Sequence, residues 1–146
     1  MKMKQTLRFI LATLFMMINT PLLAEEGITV YKSPTCGCCS AWIDHLKQNG
    51  FEVTAHDTAN MSSVKNALGV QPKHASCHTA EVGGYVIEGH VPASEIKRLL
   101  EEKPDISGLT VPGMPMGSPG MEGNRKDSYQ VLTFDSNGDS TIYAEY

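Results

Sequence analysis

Three thiols within four residues, Cys36-Gly37-Cys38-Cys39, constrain this chain more than any other feature. Before them, residues 27–32 are short, β-branched and aromatic and read as a strand. After them, apolar residues fall at Cys39, Trp42, Ile43 and Leu46, the i, i+3, i+4, i+7 spacing of one helix face. Ser33-Pro34-Thr35 offers a capping hydroxyl and a proline at the helix start, and Asn49-Gly50 a stop. The thiols therefore sit where a strand turns into a helix. Unpaired N–H groups and the helix dipole favour thiolate there, the form that serves both as redox nucleophile and as soft-metal ligand. Cys36 and Cys39 make a C-x-x-C pair, which at such a junction is seldom only a staple.

The elements that follow set the fold class. Residues 51–56 alternate with period two and predict a second strand. Thr58 or Asn60 can cap a short helix carrying Met61, Val64 and Leu68, ended by Gly69. Residues 75–82 and 85–90 read as strands joined at Gly83-Gly84. Val91-Pro92 leads into a third helix with Ile96, Leu99 and Leu100 inward, stopped at Pro104. Strand, helix, strand, helix, β-hairpin, helix is the order of an α/β thioredoxin-like core, expected to have a mostly parallel sheet. The core spans residues 25–104. Residues 105–128 form a Gly/Pro/Met-rich loop with little periodicity, of a length that is usually functional or disordered. Residues 129–146 predict a C-terminal β-hairpin, turned at Asn137-Gly138 and packed on the core.

Residues 1–24 lie outside that plan. Lys2, Lys4 and Arg8 precede a ten-residue apolar run at 9–18 and a cleavage region ending at Ala24, the order of a secretory signal peptide. The run is too short for a spanning helix, which needs about 20 apolar residues. The expectation is a protein of the periplasm with no stable membrane anchoring. Without this segment nine basic residues face sixteen acidic ones. That balance, with only 7% aromatic residues, argues against nucleic acid as a partner.

The remaining candidates are donors of soft or borderline character. Cys77 stands in Ala75-Ser76-Cys77-His78-Thr79, where a thioredoxin-like protein would start its third strand with a cis-proline; it is expected to face Cys36 and Cys39. Strand alternation then turns His78 to the opposite face, as a buried structural residue or a support for a ligand sooner than a ligand itself, its metal binding left open. His90, at the turn into the third helix, borders the cysteine edge. His45 and His56 read as surface residues, while His74 and Met121 stay open. Met114, Met116 and Met121 lie among Gly and Pro rather than on a helical stripe. A thioether carries no charge and forms no disulfide, so thiolate with thioether selects Cu(I), whereas zinc gains little from it.

The segments 34–39, 76–80, 84–93, 111–115 and 117–122 (Pro-Thr-Cys-Gly-Cys-Cys, Ser-Cys-His-Thr-Ala, Gly-Tyr-Val-Ile-Glu-Gly-His-Val-Pro-Ala, Val-Pro-Gly-Met-Pro and Gly-Ser-Pro-Gly-Met-Glu) together resemble the CopG family, small periplasmic proteins tied to copper resistance. The resemblance runs from about Ile28 to the C-terminus and implies a thioredoxin-like fold with copper handled at the cysteine cluster. The resulting expectation is a copper-binding protein. Cys36, Cys38, Cys39 and Cys77 hold Cu(I), His90, Met114 and Met116 complete the site, and bridging thiolates accommodate several ions. The C-x-x-C pair can cycle copper between oxidation states, with export or redox proteins of the periplasm as partners. The alternative is a thioredoxin-class thiol–disulfide oxidoreductase, with Cys36 as catalytic nucleophile and Cys39 as resolving thiol. It requires neither Cys38, Cys77 nor the methionine loop. A structural zinc site of Cys36, Cys38 or Cys39, Cys77 and His90 is the third reading, and it leaves the methionines unexplained.

Overall fold

A computed structural model describes residues 27–146; the expected signal segment lies outside them. The elements run β1 (Gly27–Lys32), α1 (Gly37–Gln48), β2 (Glu52–Asp57), α2 (Met61–Ala67), a 3-10 turn (Pro72–His74), β3 (Thr79–Val82), β4 (Tyr85–Glu88), α3 (Ala93–Glu102), β5 (Gly108–Thr110), β6 (Gln130–Phe134) and β7 (Ile142–Glu145). This is a mixed α/β fold with one seven-stranded sheet in the order β2-β1-β3-β4-β5-β6-β7.

The sheet is not mostly parallel. Only β1 with β2 and β4 with β5 pair in parallel; the other four pairings are antiparallel. A parallel neighbour needs a crossover, and only α1 and α3 link adjacent strands, since α2 connects β2 to the non-adjacent β3. Two strands are shorter than their composition suggests. β3 begins at Thr79, leaving residues 75–78 irregular, and β4 ends at Glu88. The stretch 105–128 in turn contains β5, which pairs with β4 and β6.

The predicted inward faces are the observed ones. Cys39, Trp42, Ile43 and Leu46 of α1 and Ile96 and Leu99 of α3 are buried with Ile28, Val30, Ala80, Ile87 and Leu109 of the sheet. Asn60 caps α2 by accepting from Ser63 N at 3.2 Å, yet α2 has no fully buried residue. The C-terminal strands continue the sheet, with Val131 and Phe134 buried. Arg98 ties them to α3, donating to Tyr143 O at 2.8 Å with its guanidinium 3.8 Å from the Tyr143 ring centroid.

Helix α3 is capped from outside itself. Pro92 at its N-cap offers no side-chain acceptor, and His45 Nε2 takes the Ala93 N–H at 3.1 Å instead. His45 is therefore not the plain surface residue its sequence position suggested. Burial lowers its pKa, against the opposing pull of Glu122, which preserves the neutral ring that this acceptor role requires. His45→Ala should cost about 1 kcal/mol, the usual value of a helix cap, read from urea denaturation midpoints at pH 7.5. His45→Asn should recover part of the loss if its side-chain oxygen reaches the same N–H.

Candidate metal centre

Topology brings distant residues to one end of the sheet. β1 and β5 end there, β3 starts there and β4 ends there, because β1 and β4 both run antiparallel to β3. The start of α1, the irregular segment 75–78, the turn at His90 and the loop after Thr110 therefore meet.

At the start of α1 the cap is Cys36 itself, not the hydroxyls at 33 and 35. Its backbone is extended and its Sγ accepts from Cys39 N at 3.3 Å. Cys36 and Cys39 are joined by a disulfide across a Cα–Cα distance of 5.3 Å, while Cys38 and Cys77 are free thiols. Cys38 Sγ lies 3.5 Å from Cys36 Sγ and 4.0 Å from Cys77 Sγ. Cys77 thus faces the cluster, as its place in the chain predicted. The four sulfurs lie within 4.8 Å of one another, and Cys77 belongs to a second such group with His78 and His90.

His78 is buried as expected but differs in the side it faces. It does not point to the far face: Nδ1 is 3.3 Å from Cys77 Sγ, and the ring packs 4.3 Å from that of Trp42. Alternation applies only to a strand, and residues 77–78 precede the first β3 residue. Trp42 Nε1 donates to Val91 O at 2.9 Å, fixing the indole that backs His78.

His90 is set by the partner of its second nitrogen. Nδ1 lies 2.7 Å from Pro119 O, an atom that can only accept, so Nδ1 carries the hydrogen. Nε2 then presents its lone pair to Cys77 Sγ, 3.1 Å away. This is how second partners orient metal-binding histidines. Burial lowers the His90 pKa despite the Pro119 hydrogen bond and the Glu122 carboxylate, and burial lowers that of His78 well below the ordinary value. Burial thus favours the neutral form of both rings. Cys77 behaves oppositely to a helix-start thiol: burial first, then Cys38, pushes its pKa up to about 11. A single S–H thus lies between two imidazoles, and a metal ion binding at that sulfur must displace its proton.

The loop after β5 closes this end of the sheet. Its backbone is ordered by its own bonds, with Gly117 N to Met121 O and Met121 N to Ser118 O at 2.8 Å each, and Ser118 is buried. Gly120 (φ +83°) lies against α1, where a Cβ would stand 2.7 Å from Trp42 N and 2.8 Å from Cys38 O. Met114 is 54% exposed. Met116 sets its methyl against Gly123, where a Cβ would be 2.9 Å from it. The clustered donor groups thus consist of the buried Cys39, His78 and His90 and the half-buried Cys36, Cys38 and Cys77, with the methionines on the covering loop. His74 is buried against Phe134, ring centroids 5.3 Å apart, and belongs to neither group. His56 is exposed and stacks on Tyr31.

Thiols and imidazoles gathered at one end of the sheet define the site of a metal-binding α/β protein. The family model described as a protein of unknown function, DUF411, matches residues 74–121, which hold Cys77, His78 and His90. Two solved structures of the copper resistance protein CopG, Form 1 and Form 2, are each 49% identical to this chain. Both superpose with a TM-score of 0.80 over 84% of it, covering 98% of Form 1 and 99% of Form 2. No curated protein matches. The chain belongs to the CopG family. Among the described residues no helix is long and apolar enough to cross a membrane.

Proposed function

We propose that this protein is a periplasmic copper-binding protein of copper resistance that holds Cu(I) in the cluster formed by Cys36, Cys38, Cys39, Cys77, His78 and His90. The observation that carries this is the shared Cys77 sulfur, placed between three other cysteine sulfurs and two imidazole nitrogens. A thiolate so placed can bridge, and the donor set exceeds what one ion needs, so the reading includes several ions linked by sulfur. Similarity to copper resistance proteins supports copper over zinc, as do the methionines of the covering loop. A thioredoxin-like ancestry is supported by the strand order β2-β1-β3-β4 and by the C-x-x-C pair opening α1. The expected division into a core of 25–104, a metal-site loop of 105–128 and a C-terminal hairpin belongs to the same proposal, as does export by residues 1–24.

With Cys36 and Cys39 oxidised, two of the donors are spent. Reduction by two electrons and two protons restores them. In the reverse direction the two thiolates can give one electron to each of two Cu(II) ions, yielding two Cu(I) and the disulfide. That disulfide also favours a second reading, thiol–disulfide exchange with Cys36 as nucleophile.

The test is anaerobic titration of reduced protein with Cu(I) against a chromophoric chelator, with Zn(II) in parallel. Cu(I) should bind far more tightly than Zn(II). The double variant Met114→Leu/Met116→Leu keeps bulk and removes sulfur, and should weaken Cu(I) about tenfold if either thioether ligates. An unchanged affinity makes both methionines packing residues. Cu(I) binding no tighter than Zn(II), together with fast insulin reduction, overturns the copper reading in favour of disulfide exchange.

A further inference from the structure

Glu88 is fully buried at the end of β4, directly opposite Thr79. Its carboxylate accepts from three donors. Oε1 takes the Lys65 ammonium and, at 2.6 Å, the backbone N–H of Ser76, and Oε2 takes the Thr79 hydroxyl at 2.6 Å. Lys65 Nζ also donates to Thr79 Oγ1 at 2.9 Å. Burying a charge pair gains little stability, since apolar residues of similar volume often do as well or better. Its placement points to another use. In a regular strand Cys77 and His78 would face opposite sides of the sheet. Both face the cluster because residues 75–78 leave the ladder, and a segment that leaves it loses strand partners for its backbone N–H groups. Glu88 replaces such a partner for Ser76 and grips Thr79, one residue outside the donors at each end. Gly89 N completes the frame by donating to His78 O at 3.1 Å.

We infer that the buried Glu88–Lys65 pair is a positioning device. It holds residues 76–78 out of the sheet ladder, anchored at Thr79 where the ladder begins, so that Cys77 Sγ and His78 Nδ1 address one centre. The inference rests on reading the Cys/His cluster as a copper site, but its main readout does not.

Two double variants, both lacking the ion pair, separate positioning from bulk stability. Lys65→Met/Glu88→Leu provides no acceptor for Ser76 N–H. Lys65→Met/Glu88→Gln retains an amide oxygen for it. In reduced, metal-free protein, iodoacetamide labelling mapped by mass spectrometry gives the Cys77 rate relative to Cys38. That ratio should rise roughly tenfold in the leucine variant, as the segment opens locally, and stay within about threefold of wild type in the glutamine variant. Cu(I) affinity, measured against bicinchoninate, should fall about 10- to 100-fold in the leucine variant only. Thr79→Val, which removes one grip at nearly constant volume, should move the labelling ratio in the same direction. Equal labelling ratios in the two double variants, or no movement in Thr79→Val, would overturn the inference. If wild type takes no Cu(I) while the labelling contrast appears, the copper reading fails and the positioning role stands. If wild type binds Cu(I) and the two doubles are alike, the reverse holds.

Discussion

Cys77→Ser should abolish tight Cu(I) binding. Its sulfur is the one atom common to both donor groups, 4.0 Å from Cys38 Sγ and 3.1 Å from His90 Nε2. Loss of an outer partner of a metal ligand typically costs 10- to 100-fold in affinity; loss of the shared donor should exceed about 100-fold and lower the number of ions bound. Serine keeps the size and an O–H that can still donate to His90, so the fold should survive, with far-UV circular dichroism unchanged. Elemental analysis of protein loaded anaerobically and desalted reads the stoichiometry directly. A Cys77→Ser variant that retains its full copper complement would confine the site to Cys36, Cys38 and Cys39.

Gly120→Ala should be the most damaging single methyl in the covering loop. Two effects combine. The backbone is left-handed at φ +83°, which costs a residue with a Cβ roughly 1–2 kcal/mol. The added carbon would also stand 2.7 Å from Trp42 N and 2.8 Å from Cys38 O, backbone atoms of α1 that cannot turn aside. Relief requires the loop to lift, and the adjacent Pro119 carbonyl lifts with it from His90 Nδ1. The expected loss is about 3 kcal/mol, or roughly 10 °C in Tm, with weaker Cu(I) binding. Gly113→Ala is the control. Its φ of +70° carries a similar conformational cost, but nothing lies within 4 Å of the added carbon, so a loss of only about 1 kcal/mol is expected. Equal melting temperatures for the two variants would show that Gly120 matters for its backbone angle alone.

What the sequence reveals here follows the range of the physics involved. Periodicity located the buried face of α1, since Cys39, Trp42, Ile43 and Leu46 each answer to a local pattern. Turn chemistry located both hairpins through Gly83-Gly84 and Asn137-Gly138. The features that escaped depend on partners far along the chain. His78 does not face away from the cluster, because β3 does not start at residue 75. The ladder in fact begins at Thr79, and Glu88 takes the Ser76 N–H from twelve residues away. His45 as a cap for α3 spans 48 residues. β5, three residues of Gly-Leu-Thr, has too little sequence to announce itself and exists through its pairing with β4 and β6. A Glu ending the short strand Tyr-Val-Ile-Glu, with a single Lys on the short helix before it, was the available signal for the Glu88–Lys65 pair.

The hydrogen bond from His90 to Pro119 also bears on the order of events during biosynthesis. Cys36 and Cys39 are three residues apart and can pair as soon as the first helix is made, since closing so short a loop needs no distant partner. Cys77 comes some forty residues later, and the carbonyl that fixes the His90 tautomer later still. A chain made from its N-terminus therefore passes through a stage in which its thiols are present without their cover. The local disulfide would keep two of them out of reach of wrong partners during that interval. In such a sequence of events the disulfide would serve as a temporary guard, and on the proposed copper reading its reduction would release the last two donors.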